Sequence, residues 1–161
     1  MQQLNLPAID DCRLRHRNER TEIFDSFRRK YVVCSPEEWV RQHFAHYLVN
    51  YLMFPASLTT IEKPIIVNRK RKRCDIVVHN REGHPLMIVE CKSPEVKISE
   101  ETLHQAMIYD LALHTRFVIL TNGLVHFCFE SDKETKQIRV VDKIPTFKEI
   151  DNIQQGYANR S

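Results

Sequence analysis

Three short apolar segments that follow one another between residues 59 and 92 constrain the fold of this chain most strongly. Thr59–Asn68, Arg73–His79 and Pro85–Lys92 have the β-branched and apolar composition of strands. The basic run of residues 69–73 separates the first two, and the turn Asn80-Arg81-Glu82-Gly83 separates the second from the third. Because such short connections join antiparallel neighbours, we predict that the three strands pair in this way.

A helix is predicted on either side of these strands. Ser35-Pro36-Glu37-Glu38 combines an N-cap serine, a proline at the first helical position and a glutamate at the third, which indicates a capping box. This helix is predicted to run to about Met53. Its buried stripe comprises Val40, Phe44, Leu48 and Tyr51. The second helix is predicted from about Glu100 to Leu113, with Ser99 as its N-cap.

Further strands are predicted after the second helix. They are Arg116–Thr121, Leu124–Glu130 across an Asn122-Gly123 turn, and an edge strand at Ile138–Val141. The order helix, three strands, helix and strands is typical of a mixed sheet with helices on both faces. The sequence therefore predicts an α/β fold with three layers, α/β/α, around a central mixed sheet.

The length of 161 residues fits a single domain. Residues 1–20 are polar and rich in arginine, so we expect an extended N-terminal arm. The domain is expected over residues 21–150, beginning with a short helix at Thr21–Lys30, and residues 151–161 are expected to form a loose tail.

Composition excludes several classes of protein. No apolar run approaches the ~20 residues that span a bilayer, and the N-terminus lacks the pattern of a secretory signal. The 5 cysteines are scattered without a zinc-binding spacing, so we expect reduced thiols in a cytoplasmic protein without membrane attachment. Residues 1–80 carry 14 Lys and Arg against 9 Asp and Glu, a basic bias that favours an anionic partner.

The third strand carries two charges on one face. Since side chains alternate along a strand, Glu90 and Lys92 point the same way, and two charges on an apolar strand are costly unless they are paired or bind an ion. Asp75 opens the preceding strand and can lie beside Glu90. A divalent cation would remove the repulsion of the two carboxylates, and Mg²⁺ suits such a site. In the absence of a bound cation, the repulsion between the two carboxylates predicts that Asp75→Asn makes the protein more stable. The alternative is an ordinary surface strand with Asp75 unrelated to it.

The sequence around these residues resembles a known family. Asp-Ile-Val-Val from Asp75, followed after a short connection by Met-Ile-Val-Glu-Cys-Lys-Ser-Pro from Met87, resembles the PD-(D/E)xK nuclease superfamily. It looks most like the N-terminal nuclease domain of the R subunit of type I restriction enzymes. The resemblance covers roughly Pro36 to Glu130 and implies a restriction-endonuclease-like fold. It also implies that Asp75 and Glu90 are metal ligands and that Lys92 is catalytic. Cys74 departs from the proline of the superfamily name, at a position that carries no chemistry.

The helix after the active strand adds a second match. Gln105 and Tyr109 fit the Gln-x-x-x-Tyr motif of these R subunits, and their spacing places them on one side of the helix. The resemblance implies that Gln105 hydrogen-bonds near the catalytic groups and that Tyr109 contacts the DNA backbone. The alternative is that both belong to a helix that is buried nearly all round.

The first helix adds a weaker match, an acidic residue followed four positions later by arginine. Glu37 and Arg41 have this spacing, and Glu37 falls on the inward stripe with Val40, whereas Glu38 serves as the capping-box residue. We therefore assign Glu37 to the site and Arg41 to nucleic-acid binding. The alternative is that Glu37 only interacts with the helix dipole.

The basic run can grip phosphates without regard to sequence. It consists of Arg69, Lys70, Arg71, Lys72 and Arg73. A solvated hairpin loop is an equally good interpretation of these residues.

Together, these features predict a Mg²⁺-dependent nuclease that hydrolyses DNA phosphodiester bonds, with Mn²⁺ as a substitute ion. The resemblance implies as partners a helicase-type motor and restriction-modification subunits. The chain carries no Gly-x-x-x-x-Gly-Lys-[Ser/Thr] motif, so we expect no motor activity from these residues themselves. The alternatives are a module of the same fold that binds nucleic acid or protein without cutting, and a nuclease for RNA or damaged DNA.

Overall fold

The computed structural model describes residues 1–67, 69–132, 135 and 137–151. Its two long helices are α1 (Pro36–Asn50) and α2 (Glu100–Leu113), and a short 3₁₀ helix spans Ala56–Leu58. Its strands are β1 (Leu14–Arg17), β2 (Arg20–Asp25), β3 (Lys30–Val33), β4 (Thr59–Val67), β5 (Lys70–His79), β6 (Pro85–Cys91), β7 (Phe117–Thr121), β8 (His126–Asp132) and β9 (Gln137–Val141). Strands β1 to β3 form a three-stranded sheet, and β4 to β9 form a six-stranded sheet in chain order.

The larger sheet is mixed, as predicted. Strands β4, β5 and β6 pair antiparallel, which confirms the pairing expected from their short connections. Strand β7 is parallel to β6, because α2 carries the chain back across the sheet between them. Strands β8 and β9 then continue antiparallel.

The sheet lies between the two helices. On one face, Val40 and Phe44 of α1 belong to the same buried cluster as Ile76 of β5. On the other, Ala106 and Tyr109 of α2 belong to a cluster with strand residues that include Val77 and Ile88. Because strand side chains alternate between the two faces, β5 and β6 supply both clusters. The predicted three-layer α/β/α architecture is therefore confirmed.

The helix starts follow their predicted caps. The Ser35 hydroxyl accepts a hydrogen bond from the backbone N–H of Glu38 at 3.1 Å. Helix α1 ends at Asn50 rather than Met53, which has a left-handed backbone with φ of 62° that no helix accommodates. Helix α2 has the predicted bounds, and Ser99 caps its first turn.

The predicted helix at Thr21–Lys30 is wrong. This segment forms β2 and a turn, and β1 folds onto β2 through Asn18 and Glu19, which have φ of 48° and 60°. Two successive positive φ angles match the right-handed twist of a tight hairpin. The apolar residues Ile23 and Phe24 then fall on opposite faces of a strand instead of one side of a helix.

The prediction of an extended N-terminal arm is also corrected, because residues 1–20 are hydrogen-bonded to the rest of the domain. Besides contributing β1, they place the backbone N–H of Asn5 at 2.7 Å from the carbonyl oxygen of Gly123. The Trp39 indole N–H donates to the carbonyl oxygen of Gln2 at 3.1 Å. The predicted tail begins at Asp151, and residues 152–161 lie outside the described part of the chain.

The basic run differs from the prediction as well. Strand β5 begins at Lys70, so most of the run extends the β4–β5 hairpin instead of forming a loop. The helices of the described residues are too short or too polar to cross a membrane.

Candidate active site

Two carboxylates meet where the end of β6 lies beside the middle of β5. Ile76 pairs with Val89, so the next residues outward from this pair are Asp75 and Glu90. Asp75 is 9% exposed and Glu90 is 5% exposed. Asp75 Oδ2 accepts a hydrogen bond of 2.7 Å from the backbone N–H of Cys91, which fixes the carboxylate against the neighbouring strand.

The two carboxylate oxygens of Glu90 differ in their hydrogen bonding. Its Oε1 accepts hydrogen bonds from Lys92 Nζ at 2.8 Å and from Gln105 Nε2 at 3.0 Å. Its Oε2 is buried and has no hydrogen-bond partner among the described residues. An unpaired buried carboxylate oxygen costs free energy, so this atom is suited to a ligand.

The electrostatics of the pair follow from burial. Burial, together with the charge of Asp75, raises the pKa of the Glu90 carboxyl to about 7 against the opposing effect of the hydrogen bond from Lys92. Burial alone would lower the pKa of Lys92, but its hydrogen bond to Glu90 and the charge of Glu90 outweigh burial and raise it. Lys92 is therefore a cationic donor at neutral pH and not a proton acceptor.

Helix α2 brings the predicted Gln105 and Tyr109 to this edge of the sheet. The Gln105 amide donates both to Glu90 and, at 3.3 Å, to the Tyr109 hydroxyl. Tyr109 is only 6% exposed and belongs to the core between α2 and the sheet. The predicted contact of Tyr109 with the DNA backbone is therefore corrected. Its hydroxyl accepts the hydrogen bond from Gln105 on the core side of this residue.

Arg41 does not have the position that a phosphate contact requires. It is 6% exposed, and its Nη2 lies 2.8 Å from Asp75 Oδ1 and 2.9 Å from a Glu37 oxygen. The buried guanidinium also pairs with Glu38. Burial alone would lower the pKa of Arg41, but the Asp75 and Glu38 charges raise it. We therefore correct its assignment from nucleic-acid binding to an internal counter-ion of Asp75.

The two glutamates at the start of α1 differ from the prediction, because Glu38 is the buried one and Glu37 is partly exposed. Glu38 is 5% exposed, and its side chain pairs with Arg28, Arg41 and Gln42 instead of closing the capping box. The Glu37 side chain is 44% exposed. The structure thus brings Glu37 to the site, as predicted, but on its solvent side, where its charge adds to the rise in the pKa of Glu90.

A buried ion-pair network behind Arg41 was missed by the sequence analysis. Arg28 joins Asp25, Glu38 and Glu62, and Gln42 donates to Asp25 at 2.8 Å. Asp25 is fully buried, and despite that burial its hydrogen bonds, chiefly from Arg28, lower its pKa. The sequence signal that was missed is the pair Glu38 and Gln42 on the inward side of α1, because buried polar groups need hydrogen-bond partners.

The predicted basic run is fully exposed. Arg69, Lys70, Arg71, Lys72 and Arg73 are all accessible. Arg73 lies 3.6 Å from Glu62, which is itself paired with Arg28. Two ion pairs therefore join the run to Arg28 in the network behind Arg41, and the run does not enter the site.

The donor set fits a hard divalent cation. Among the described residues, no three His, Cys, Asp or Glu side chains are arranged to ligate a metal. Mg²⁺ needs only one or two carboxylates, because water and phosphate oxygens complete its coordination. Glu90 Oε2 supplies one free oxygen. Asp75 Oδ2 accepts a single hydrogen bond and so keeps a lone pair for a cation, whereas Oδ1 already accepts two hydrogen bonds from Arg41.

Comparison with known proteins gives a family match. The family described as the N terminus of the type I restriction enzyme R protein matches residues 36–145, which is more than half of the chain. No curated protein matches the chain in sequence.

Solved structures show weaker similarity. A fragment assigned as an HsdR subunit of a type I restriction enzyme from Vibrio vulnificus YJ016 is 24% identical, with 55% of this chain and 19% of that chain covered and a TM-score of 0.41. The type IIG restriction endonuclease BpuSI is 16% identical, with coverages of 63% and 13% and a TM-score of 0.43. A DUF820 protein from Anabaena variabilis ATCC 29413, assigned as a nuclease, is 13% identical, with coverages of 78% and 79% and a TM-score of 0.42.

Proposed function

This chain belongs to the family of type I restriction enzyme R protein N termini, and we propose that it hydrolyses DNA phosphodiester bonds in a Mg²⁺-dependent reaction. The observation that carries the proposal is the buried, unpartnered Glu90 Oε2 beside Asp75 and Lys92. A carboxylate oxygen that is buried without a partner fits a cation-binding role better than a structural one.

Asp75 and Glu90 are the residues proposed to hold Mg²⁺, with Mn²⁺ as its substitute. When bound, the ion would make water a better nucleophile and offset negative charge on the phosphate. Arg41 keeps the Asp75 carboxylate ionised and oriented, because it donates to Oδ1 from the helix side. Gln105 holds the Glu90 side chain in one rotamer by donating to Oε1.

Lys92 is proposed to act on the transition state. It is a protonated donor held 2.8 Å from Glu90 and is partly accessible to solvent. A fixed ammonium can orient the attacking water and stabilise charge that develops on the phosphate oxygens. Glu37, on the solvent side of the site, and the basic run 69–73 are proposed to contact substrate or its bound water.

The wider context is proposed from the family. A helicase-type motor and other restriction-modification subunits are the proposed partners. The chain spans 19% of the length of the HsdR fragment. The free cysteines fit the reducing cytoplasm as the proposed location.

The test is cleavage of supercoiled plasmid with Mg²⁺ or Mn²⁺, comparing wild type with Lys92→Ala. Removing a donor that acts on the transition state lowers rates by on the order of 10²–10³ and leaves ground-state binding nearly unchanged. We expect Lys92→Ala to fold and to bind DNA but to lose cleavage. Lys92→Arg should not restore it, because a planar guanidinium does not occupy the position of a compact ammonium.

Equal cleavage by wild type and Lys92→Ala would refute this active site. Absence of cleavage in both, with DNA binding intact, would favour a binding module that keeps the nuclease fold. The same assay with RNA or damaged DNA as substrate tests the third function considered for this chain.

A further inference from the structure

The three-stranded sheet formed by β1, β2 and β3 has two unlike faces. Its inner face packs Ile23 and Val32 against Cys34 and Trp39. Its outer face is open to solvent. The outer-face side chains comprise Arg13, Arg15, Arg17, Arg20, Glu22, Phe24, Tyr31 and Val33. We call this surface the arginine face.

Two of its arginines lie over aromatic rings. The guanidinium of Arg13 lies 4.0 Å from the centre of the Phe24 ring, and that of Arg15 lies 3.8 Å from the centre of the Tyr31 ring. Stacking uses the face of a guanidinium and leaves N–H groups along its edge free to donate. Acidic side chains occupy part of these edges, since Arg15 bonds to Glu22 at 2.6 Å and Arg13 lies 3.4 Å from the exposed Asp11.

The other two arginines face each other without a counter-ion. Arg17 and Arg20 are directly opposed in the β1–β2 hairpin, both are exposed, and neither makes an ion pair with any described residue. Like charges in directly opposed positions of a hairpin reduce its stability. An arrangement that is unfavourable for folding and open to solvent is well suited to an anionic partner.

The segment that forms this sheet carries an excess of positive charge, as does the basic run of residues 69–73. Residues 13–30 carry seven Lys and Arg and three Asp and Glu, an excess of four, whereas the net charge of the whole chain is +3. These residues precede the family match, which begins at residue 36. The arginine face is therefore a feature of this chain outside the part that defines the family.

Ion pairs place this sheet beside the candidate active site. Arg28, in the β2–β3 turn, pairs with Glu38 at the start of α1 and with Glu62 on β4. Glu38 pairs in turn with Arg41, the partner of Asp75. These ion pairs tie the β2–β3 end of the sheet to the candidate site, and Arg17 and Arg20 lie at the other end of β2.

We propose that the arginine face binds the sugar–phosphate backbone of DNA outside the active site and without sequence preference. The proposal rests on the proposed function for its choice of DNA. The face uses arginine throughout, which donates two parallel hydrogen bonds to one phosphate, and its aromatic rings orient two of these donors in advance. A lipid surface is disfavoured because the rings are stacked under guanidiniums and are not free to insert.

The experiment measures binding of a 30-base-pair DNA duplex to the full chain without metal, over a range of salt concentrations. Arg17→Ser/Arg20→Ser removes the two arginines that have no ion pair. Arg81→Ser/Lys148→Ser is the control matched in charge, because it removes two cations from other exposed positions, although Arg81 pairs with Asp151 at 3.4 Å. The β5–β6 turn with Arg81 lies at the opposite end of these strands from Asp75 and Glu90.

We expect the arginine-face variant to bind at least about tenfold more weakly at low salt, equally for unrelated sequences, with the slope of log K against log salt reduced by about 1 to 2. The control should retain the wild-type slope. The thermal unfolding of the arginine-face variant should not occur at a lower temperature than in wild type, since the repulsive pair Arg17 and Arg20 has been removed. Should the double variant fold poorly, Arg20→Ser alone is expected to reduce the slope by about 1.

Wild-type DNA affinity in the variants, or an equal loss in the control, would overturn the inference. So would binding to phosphatidylserine vesicles that depends on Arg17 and Arg20 while DNA binding does not. Because no metal is present, the result is independent of cleavage. Failure of the Lys92 experiment therefore refutes the proposed reaction without deciding whether the arginine face binds DNA.

Discussion

The two carboxylates of the site should affect the stability of the metal-free protein in opposite ways. Glu90 is 5% exposed, and burial raises the pKa of its carboxyl from the ordinary 4.5 to about 7. Since the folded pKa is the higher one, Glu90 stabilises the fold fully below about pH 4.5. This contribution is lost as the pH rises through about 7, the point at which the folded carboxyl ionises.

Glu90→Gln isolates this contribution because an amide does not titrate. The pKa difference corresponds to about 3 kcal/mol, at 1.4 kcal/mol per unit. The free energy of unfolding of Glu90→Gln relative to wild type should therefore rise by about 3 kcal/mol between about pH 3.5 and pH 8. Any constant cost of burying the amide N–H₂ group cancels in this comparison. Urea unfolding in the presence of a chelator provides the measurement.

Asp75→Asn is the matched comparison and reverses an expectation from the sequence. Repulsion between the carboxylates suggested a gain in stability, but Asp75 accepts hydrogen bonds from Arg41 and from the Cys91 backbone. Neutralising one partner of a buried ion pair costs about 3 kcal/mol or more. We expect Asp75→Asn to be destabilised throughout the pH range. A difference between Glu90→Gln and wild type that does not vary with pH, or a stabilised Asp75→Asn, would refute this reasoning.

Three further results are expected. Calorimetry should show Mg²⁺ or Mn²⁺ binding that is lost in Glu90→Gln, and unchanged binding would remove Glu90 from the ligand set. Lys70→Ser/Lys72→Ser should reduce the salt slope of DNA binding by about 1 to 2 if the basic run contacts phosphates, and an unchanged slope would assign it to solvated surface. Gly123→Ala should cost more than the ~1 kcal/mol expected for Gly83→Ala in urea unfolding, and equal costs would contradict this. Both glycines have φ of 83°, but only at Gly123 would the new Cβ lie 2.7 Å from a side-chain atom, Cδ2 of Leu4.

The central part of the fold was predictable because its signals are local. The strand trio, the caps at Ser35 and Ser99 and the crossover helix each depend on residues that are close in sequence. The N-terminal sheet was not predictable in the same way. Its hairpin turn at Asn18-Glu19 has positive φ at two residues that are not glycine, so the usual sequence signal of such a turn is absent.

The site was predicted in part for a similar reason. Glu90 and Lys92 are two residues apart on one strand, and Gln105 and Tyr109 are one helical turn apart, so periodicity alone relates the members of each pair. The environment of Arg41 depends on contacts between α1 and β5, 34 residues apart in the chain. Neither spacing nor composition indicates that a predicted phosphate contact is buried against Asp75.

The ion-pair network explains why a sheet outside the family match belongs to the same folded unit. Arg28 is the shared partner of Asp25, Glu38 and Glu62, so removing it would leave three carboxylates with less counter-charge, one of them fully buried. Uncompensated buried charge is among the most destabilising changes in a protein. Glu38 pairs with both Arg28 and Arg41, and Arg41 pairs with Asp75. The orientation of Asp75 therefore depends on Arg28, which precedes the family match. The N-terminal sheet is thus a structural support of the candidate site as well as a candidate DNA-binding surface.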